Sequence, residues 1–393
     1  MNSLSMGKYR PAVILTLALT VFLASCKGTS DDPVTTPTPP VKGGVITTLA
    51  GTGRAGSANT APNVAAQFSF PAGVAVDSDN NVYVADSGNN CIRKIEWVWR
   101  AGWLVTTVAG TGTATASGEN PDNAVATAAT FNQPASVAVD SSGNLYVADT
   151  GNNLIRKITI SNGVVGEVST IAGDGTEGYH DATGTEAQFR SPKGVAVAGT
   201  NLYVVDTGNN CIRKITSTGI VTTFAGRTGM SGLGSADGAG LTEAQFGFPT
   251  GVAVDSSGNL YVADYFNNLI RKITSAGEVD TLAGTVTDGR GVSGTDDGIG
   301  TAAKFNSPAG VAVDSSGNVY VVDTYNDLIR KIVVANDGTA TVTTLAGDGT
   351  TGHHDATTGT AATFNSPNGV AVDSSGNLYV ADTENHTIRK IEL

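Results

Sequence analysis

The stretch that decides the fold runs from Pro367 to Ile391 and reads PNGVAVDSSGNLYVADTENHTIRKI. Gly-Val-Ala-Val-Asp has the make-up of a short β-strand. Ser-Ser-Gly-Asn is turn chemistry, with a glycine free to take positive φ. Asn-Leu-Tyr-Val-Ala-Asp reads as a second strand, the polar residues after it as a second turn, and Ile-Arg-Lys-Ile as a third strand. The same block begins at Pro71, Pro134, Pro192, Pro249 and Pro308, at successive offsets of 63, 58, 57, 59 and 59 residues. Self-similarity at a fixed period of this size marks a repeat architecture.

A fourth β run accompanies the blocks, as VITTLAG (45–51), VTTVAG (105–110), VSTIAG (168–173), VTTFAG (221–226), VDTLAG (279–284) and VTTLAG (342–347). Four antiparallel strands per repeat of this length make a propeller blade. The first fourth-strand copy precedes the first block, and the sequence stops at Leu393, just after the sixth Ile-Arg-Lys-Ile. The expected fold is therefore all-β: a six-bladed β-propeller of four-stranded antiparallel blades over 43–393, closed by the N-terminal strand completing the last blade. Closure of that kind removes the free sheet edge. Alanines in the first two strands suit the crowded region near the axis.

From Val45 to Leu393 the blocks resemble NHL repeats, through the Gly-Val-Ala-Val-Asp, Leu-Tyr-Val-Ala-Asp, turn Asn and Ile-Arg-Lys-Ile segments. The resemblance implies a propeller; it says little of function, since such propellers serve as binding platforms, adhesion modules, lyases and lactonases. Two blocks depart from the pattern. The second has Ser136 where the others have Gly, and the third has Ala198 where the others have Asp, with a turn one residue shorter.

The N-terminus reads as an address. Lys8 and Arg10 precede an almost wholly apolar run from Ala12 to Leu23, then Leu-Ala-Ser-Cys. A positive start, a short apolar run and small residues before a cut describe a secretory signal over 1–25. The run is too short for a comfortable membrane-spanning helix. Cys26 after Leu-Ala-Ser looks like a bacterial lipobox, which implies that Cys26 is lipidated and begins the mature chain. Residues 27–42, KGTSDDPVTTPTPPVK, hold no large apolar residue able to build a core, so 26–42 is expected to be a lipidated Cys and a disordered tether. The expected location is the bacterial cell envelope, lipid-anchored and facing periplasm or exterior. The outer membrane is favoured because Lys27, rather than Asp, follows the Cys.

Composition excludes some functions. The formal net charge is -12, and Lys and Arg are spread as one Arg-Lys pair per repeat. A nucleic-acid surface needs clustered basic residues, so no nucleic-acid partner is expected. The three cysteines, Cys26, Cys91 and Cys211, do not make a disulfide framework. Cys91 and Cys211 stand where other blocks carry Leu154, Leu269, Leu328 and Thr387, an apolar packing position, and their blades are not adjacent.

Recurring polar residues invite two readings. Asp86, Asp149, Asp206, Asp264, Asp323 and Asp382 end the second strand, Asn89 and its five counterparts follow three residues on, and Arg93, Arg156, Arg213, Arg271, Arg330 and Arg389 lie on the third strand. A ring of carboxylates suggests a metal or substrate site. Six equal copies instead suggest structure, with Asp capping the turn and pairing with Arg. Phe68, Phe131, Phe189, Phe246, Phe305 and Phe364, each in Ala-x-Phe-x-x-Pro, are expected to plug the space between blades.

Function should lie where the copies differ. The long loops joining blades, together with the turns between second and third strands, form the default binding face. His180-Asp181 and His354-Asp355 occupy equivalent positions on two of these loops, and could face each other across the axis as a divalent-metal site of imidazole and carboxylate. Otherwise they are solvated loop residues, and no other cofactor is implied. Trp97, Trp99 and Trp103 all fall in WVWRAGWL, in the first blade. They are candidates for partner contact, for packing on a neighbouring blade, or for lying at the membrane. No catalytic residue stands out, since no nucleophile elbow, P-loop or His-Glu-x-x-His occurs. The sequence favours a monomeric binding module, bound to the membrane through its lipid alone, whose loop face takes a protein, glycan or small ligand. The alternative is a metal-dependent propeller enzyme of lyase or lactonase type.

Overall fold

The alternation of apolar and polar residues in each block becomes four antiparallel strands, and the strands of six blocks become six blades. The computed structural model describes residues 44–59, 65–115, 121–227 and 234–393. The expected leader, the expected lipidation of Cys26 and the expected 27–42 tether fall outside the described residues.

Blade 1 comprises Pro71–Val76, Val82–Asp86, Cys91–Val98 and Gly102–Ala109, hydrogen-bonded in that order from the inner to the outer edge. Blades 2 to 5 repeat the plan, with inner strands Pro134–Val139, Gly194–Ala198, Val252–Val254 and Pro308–Val313. In blade 6 the strands Val370–Val372, Leu378–Asp382 and Thr387–Glu392 are completed by Val45–Ala50. That strand runs antiparallel to Thr387–Glu392, with Val45 opposite Glu392 and Ile46 opposite Ile391. The inner strands neighbour one another in cyclic order, blade 6 meeting blade 1, so the ring is closed.

Two details go beyond the four-strand plan. Gly238–Ala239 and Gly298–Ile299 add short fifth strands outside blades 4 and 5. A separate two-residue hairpin, Val286–Thr287 with Arg290–Gly291, rises from the loop after blade 4.

The apolar core is divided among the blade interfaces. Six buried clusters each combine residues of two adjacent blades. The one between blades 6 and 1, for example, joins Leu49, Ala371 and Ile388 to Phe68, Val74 and Val105. Each repeat phenylalanine is fully buried and belongs to the interface between its own blade and the preceding one. Deleting such a ring would leave a cavity costing about 3–5 kcal/mol.

Close packing around the axis explains the glycine of the inner strand. A Cβ on Gly310 would lie 2.3 Å from the Asn368 carbonyl oxygen of the next blade, which no side chain tolerates. In blade 2 the exceptional Ser136 instead makes a bond, its Oγ accepting the Val195 N–H of blade 3 at 3.4 Å.

The turn between first and second strands is held by one aspartate. Asp314 Oδ1 accepts the N–H groups of Ser316 and Asn318, and its Oδ2 accepts Asn318 Nδ2 and, at 3.1 Å, the Tyr320 hydroxyl. Asp77, Asp140, Asp255 and Asp373 do the same. Blade 3 has Ala198 here, and its Tyr203 ring instead meets Phe224 edge-on with centroids 5.0 Å apart.

Candidate functional site

The recurring charges form a buried hub in every blade. Asp86 Oδ2 accepts Arg93 Nη1 at 2.8 Å, and the same pair recurs as Asp149–Arg156, Asp206–Arg213, Asp264–Arg271, Asp323–Arg330 and Asp382–Arg389, all with fully buried side chains. In blade 5 the Asp323 carboxylate also accepts the Asn326 amide and the Asn306 N–H. Burial pushes its carboxyl up to about 6, against the pull of Arg330 and these two donors. The Arg330 guanidinium lies 5.2 Å from the Phe305 ring centroid, and its Nη1 donates to the Lys304 carbonyl. Equivalent stacking recurs in all six blades. Every oxygen of these aspartates is engaged within the fold, so the ring of carboxylates offers no open face to a ligand.

A second acid completes the hub from the blade-joining loop. Asp122, Asp181, Asp237, Asp297 and Asp355 each accept Nη2 of the blade's arginine. In blade 1 Asn59 takes this role. This settles where the candidate metal residues go. Asp181 is bonded to Arg213 and to the Thr223 N–H, on the outer strand of blade 3. Asp355 is bonded to Arg389 and to the Thr48 N–H, on the outer strand of blade 6. His180 Nδ1 meets the Glu186 carbonyl, 3.1 Å away. The expected meeting across the axis does not occur: the two pairs stand at outer strands of opposite blades, each drawn there by its arginine. Among the described residues no three His, Cys, Asp or Glu side chains come together as a metal group.

The turn between second and third strands carries a feature that sequence reasoning missed. After each short 3₁₀ turn comes one residue in left-handed conformation: Asn90, Asn153, Asn210, Asn268, Asp327 or His386, with φ of 49–56°. Such residue types are the non-glycines best able to adopt it. Each side chain reaches the next blade and accepts a backbone N–H there, from Gln133, Ser191, Phe248, Ser307, Ser366 and Phe70 respectively. The six donors are themselves left-handed, at φ of 45–51°. Five of the contacts span 38–43 residues and the sixth 316, so no local pattern announces them.

Cys91 and Cys211 are buried free thiols at the packing position. Burial, then the negative charge of Asp86, pushes the Cys91 thiol up to about 12, which makes it a poor nucleophile. Of the tryptophans, Trp103 is half-buried against the interface of blades 6 and 1, while Trp97 and Trp99 are 61% and 81% exposed.

The structure brings the non-recurring residues together at the axis. A cavity of about 700 Å³ runs along it, walled by the inner strands of all six blades. At one end lie the 3₁₀ turns and inner-strand starts. Here Lys193 occupies the position of Ala72, Ala135, Thr250, Ala309 and Asn368 in the other blades, and Tyr325 and Glu384 occupy a position that is glycine in blades 1 to 3. Among the described residues Lys193 and Glu384 are the only charged ones of the wall, on opposite blades 3 and 6, and Tyr265 and Tyr325 line the blades between them. Desolvation holds the Lys193 ammonium below its ordinary value. Burial, then a hydrogen bond to Tyr325, pushes the Tyr265 hydroxyl up to about 12, and the two rings meet edge-on with centroids 6.2 Å apart. Deeper in, the wall is made of Ala, Val and Gly of the inner strands, with Ser136 the one polar side chain. The arrangement can hold a polar molecule at its mouth; it presents no nucleophile with a base.

Fold and cavity together define a six-bladed β-propeller with a cavity along its axis. Five of its blades, at residues 68–95, 131–158, 246–273, 305–332 and 364–391, match the NHL repeat, so the chain is an NHL-repeat β-propeller. Blade 3, with its shortened turn, is the one left unmatched. The chain is 31% identical over 356 residues to NHL repeat-containing protein 2 of Homo sapiens, across 82% of this chain and 46% of that protein. It thus spans less than half the length of the relatives it matches. Among solved structures, a Bacteroides thetaiotaomicron protein of unknown function superposes with a TM-score of 0.64 at 22% identity, covering 88% of this chain and 75% of that one. An auxiliary nutrient binding protein from the same species gives 0.61 at 16% identity, covering 88% and 76%.

Proposed function

We propose that this chain is an exported, lipid-anchored binding module of the bacterial cell envelope that holds a small polar ligand in its axial cavity. The observation that carries the reading is the break in six-fold symmetry at the cavity mouth. Five sixths of the ring position of Lys193 is small or neutral, and the fold needs no lysine there. The same holds for Tyr325 and Glu384, which replace glycine on 3₁₀ turns that form equally well without them. A cation and an anion on opposite walls, with a tyrosine pair between, suit a small ligand bearing groups of both signs or several hydroxyls. The cavity is of a size that takes such a molecule. The anchored and exported part of the reading rests on Lys8, Arg10, the apolar run and Cys26.

The test uses reversion to the sibling residues. The protein is screened by thermal shift against amino acids, short peptides and mono- and oligosaccharides, since a ligand of the native state raises the midpoint by mass action. The triple variant Lys193→Ala, Tyr325→Gly, Glu384→Gly carries only residues that other blades already use, so it should fold, with a midpoint lowered by the lost Tyr265–Tyr325 contact and the two added glycines, and each protein is compared with and without ligand. A ligand that shifts the wild type and not the variant supports the cavity. A ligand that shifts both equally binds elsewhere and sinks this assignment. If no small molecule shifts the wild type, a protein or glycan polymer on the loop face replaces it.

A further inference from the structure

Building on the lipid-anchored reading, we propose that the tryptophan hairpin of blade 1 is a membrane-contact element. Trp97 and Trp99 enter the headgroup region of the bilayer that holds Cys26, and the mouth of the axial cavity is thereby turned away from the lipid.

The strand register places the hairpin beside the point where the described chain enters the ring. In blade 1 Glu96 lies opposite Leu104 and Trp97 opposite Trp103. In blade 6 Glu392 lies opposite Val45. Glu96 and Glu392 both follow Ile-Arg-Lys-Ile, so they are equivalent. Gly44, where the described chain joins the ring, therefore takes in blade 6 the place of Trp103 in blade 1, and Leu393 takes the place of Trp97. The two blades are neighbours across the seam. Both sites are at the end of the third strand remote from the 3₁₀ turns, and thus remote from Lys193, Tyr325 and Glu384.

Exposed apolar residues recur at this end on three successive blades. Leu393 and Val45 are exposed on blade 6, Trp97 and Trp99 on blade 1, and Val164 and Val165 on the long hairpin of blade 2. The Trp97 and Trp103 rings meet edge-on, centroids 5.5 Å apart, which braces the hairpin. The tip from Trp97 to Val105 carries one charged residue, Arg100, and no acid. Tryptophan rings with an apolar body and a polar N–H favour the bilayer interface, and an arginine stem can lie along apolar surface while its head stays in water. Seventeen residues separate Cys26 from Gly44, a span of at most about 65 Å when extended, so an acyl chain on Cys26 keeps this end within reach of a bilayer.

All three tryptophans of the chain lie in this hairpin, so intrinsic fluorescence reads it alone. The full chain is produced in bacteria, its Cys26 acylation is read by mass spectrometry, and it is reconstituted into phosphatidylcholine vesicles with brominated acyl chains. The proposal expects blue-shifted emission, strongly quenched by the brominated lipid, with the quenching largely lost in Trp97→Ser/Trp99→Ser, whose circular dichroism and melting midpoint report that it still folds. An acylated, vesicle-bound chain whose emission is unshifted and unquenched overturns the hairpin proposal and leaves the anchor standing; the hairpin then serves a protein partner. A chain without acylation overturns both, and the mass spectrum tells the two failures apart.

Discussion

His386 Nδ1 accepts the Phe70 N–H at 3.1 Å, across the seam where the last blade meets the first. At the other five blade boundaries the acceptor is an amide or carboxylate oxygen, so this is the one stitch made by an aromatic ring, and Phe70 also packs edge-on against it with centroids 4.7 Å apart. Acceptance at Nδ1 requires the proton on Nε2.

The seam stitch should therefore tolerate asparagine and reject alanine. His386→Asn keeps both the left-handed conformation and an acceptor, and its stability should stay within about 0.5 kcal/mol of wild type. His386→Ala loses the acceptor and takes on positive-φ strain, for a loss of about 1–3 kcal/mol. Urea unfolding midpoints decide; equal midpoints for the two variants would show that the stitch contributes nothing.

Arg330→Met should be among the most damaging single changes in the molecule. It leaves Asp323 buried without its cation and takes the ion pair from Asp297, which keeps only its bonds from Thr344. Breaking one member of a buried pair costs about 3–5 kcal/mol. The double variant Asp323→Leu/Arg330→Met removes both buried charges and should recover part of that loss. A single variant that melts within a degree of wild type would remove the hub from the account of stability.

Alkali should unfold the ring before the tyrosines of the folded state ionise. Burial, then the negative charges of Asp140 and Asp255, pushes Tyr146 and Tyr261 up to about 12, and Tyr83, Tyr320 and Tyr379 are raised for the same reasons. An unfolded tyrosine ionises near 10. Between about pH 10 and 12 the unfolded chain binds fewer protons than the folded one, so stability is full below pH 10 and falls as the pH rises through this window. Tyrosinate absorbance at 295 nm should rise together with loss of β-sheet circular dichroism. Ionisation of the five turn tyrosines as well as the exposed Tyr179 and Tyr325 near pH 10, with the sheet signal intact, would contradict the turn hydrogen bonds.

Chelation should leave the melting midpoint unchanged, and zinc or calcium should not raise it, because Asp181 and Asp355 are already spent on Arg213 and Arg389. A zinc-dependent rise that His180→Ala/His354→Ala abolishes would restore the metal site, and with it the case for a metal-dependent enzyme.

The blades, their number and the closing strand were legible because they depend on local alternation and on counting. The hub was half legible. Asp323 and Arg330 share a block, but Asp297 reaches the same guanidinium from a variable loop, and Asp296-Asp297-Gly298 reads locally as a plain turn. The stitches were not legible, since Asn268 and Ser307 belong to different repeats and each looks like ordinary turn chemistry. His180-Asp181 and His354-Asp355 misled for a related reason: equivalent loop positions in a ring repeat the same local contact and need not converge. Lys193, Tyr325 and Glu384 were visible only as departures from the repeat, and their meeting at the axis needs the ring to be closed.

That closure has a kinetic side. Val45 pairs with Glu392, so the contact that completes the ring joins residues 347 positions apart. Contacts of such high sequence separation are the slowest to form. Five blades can gather from successive neighbours as the chain lengthens, but the sixth waits for the far end to arrive. Until then Val45–Ala50 and Thr387–Glu392 are two unmatched sheet edges, and a chain held part-way through synthesis or transport is stored with its ring unlatched.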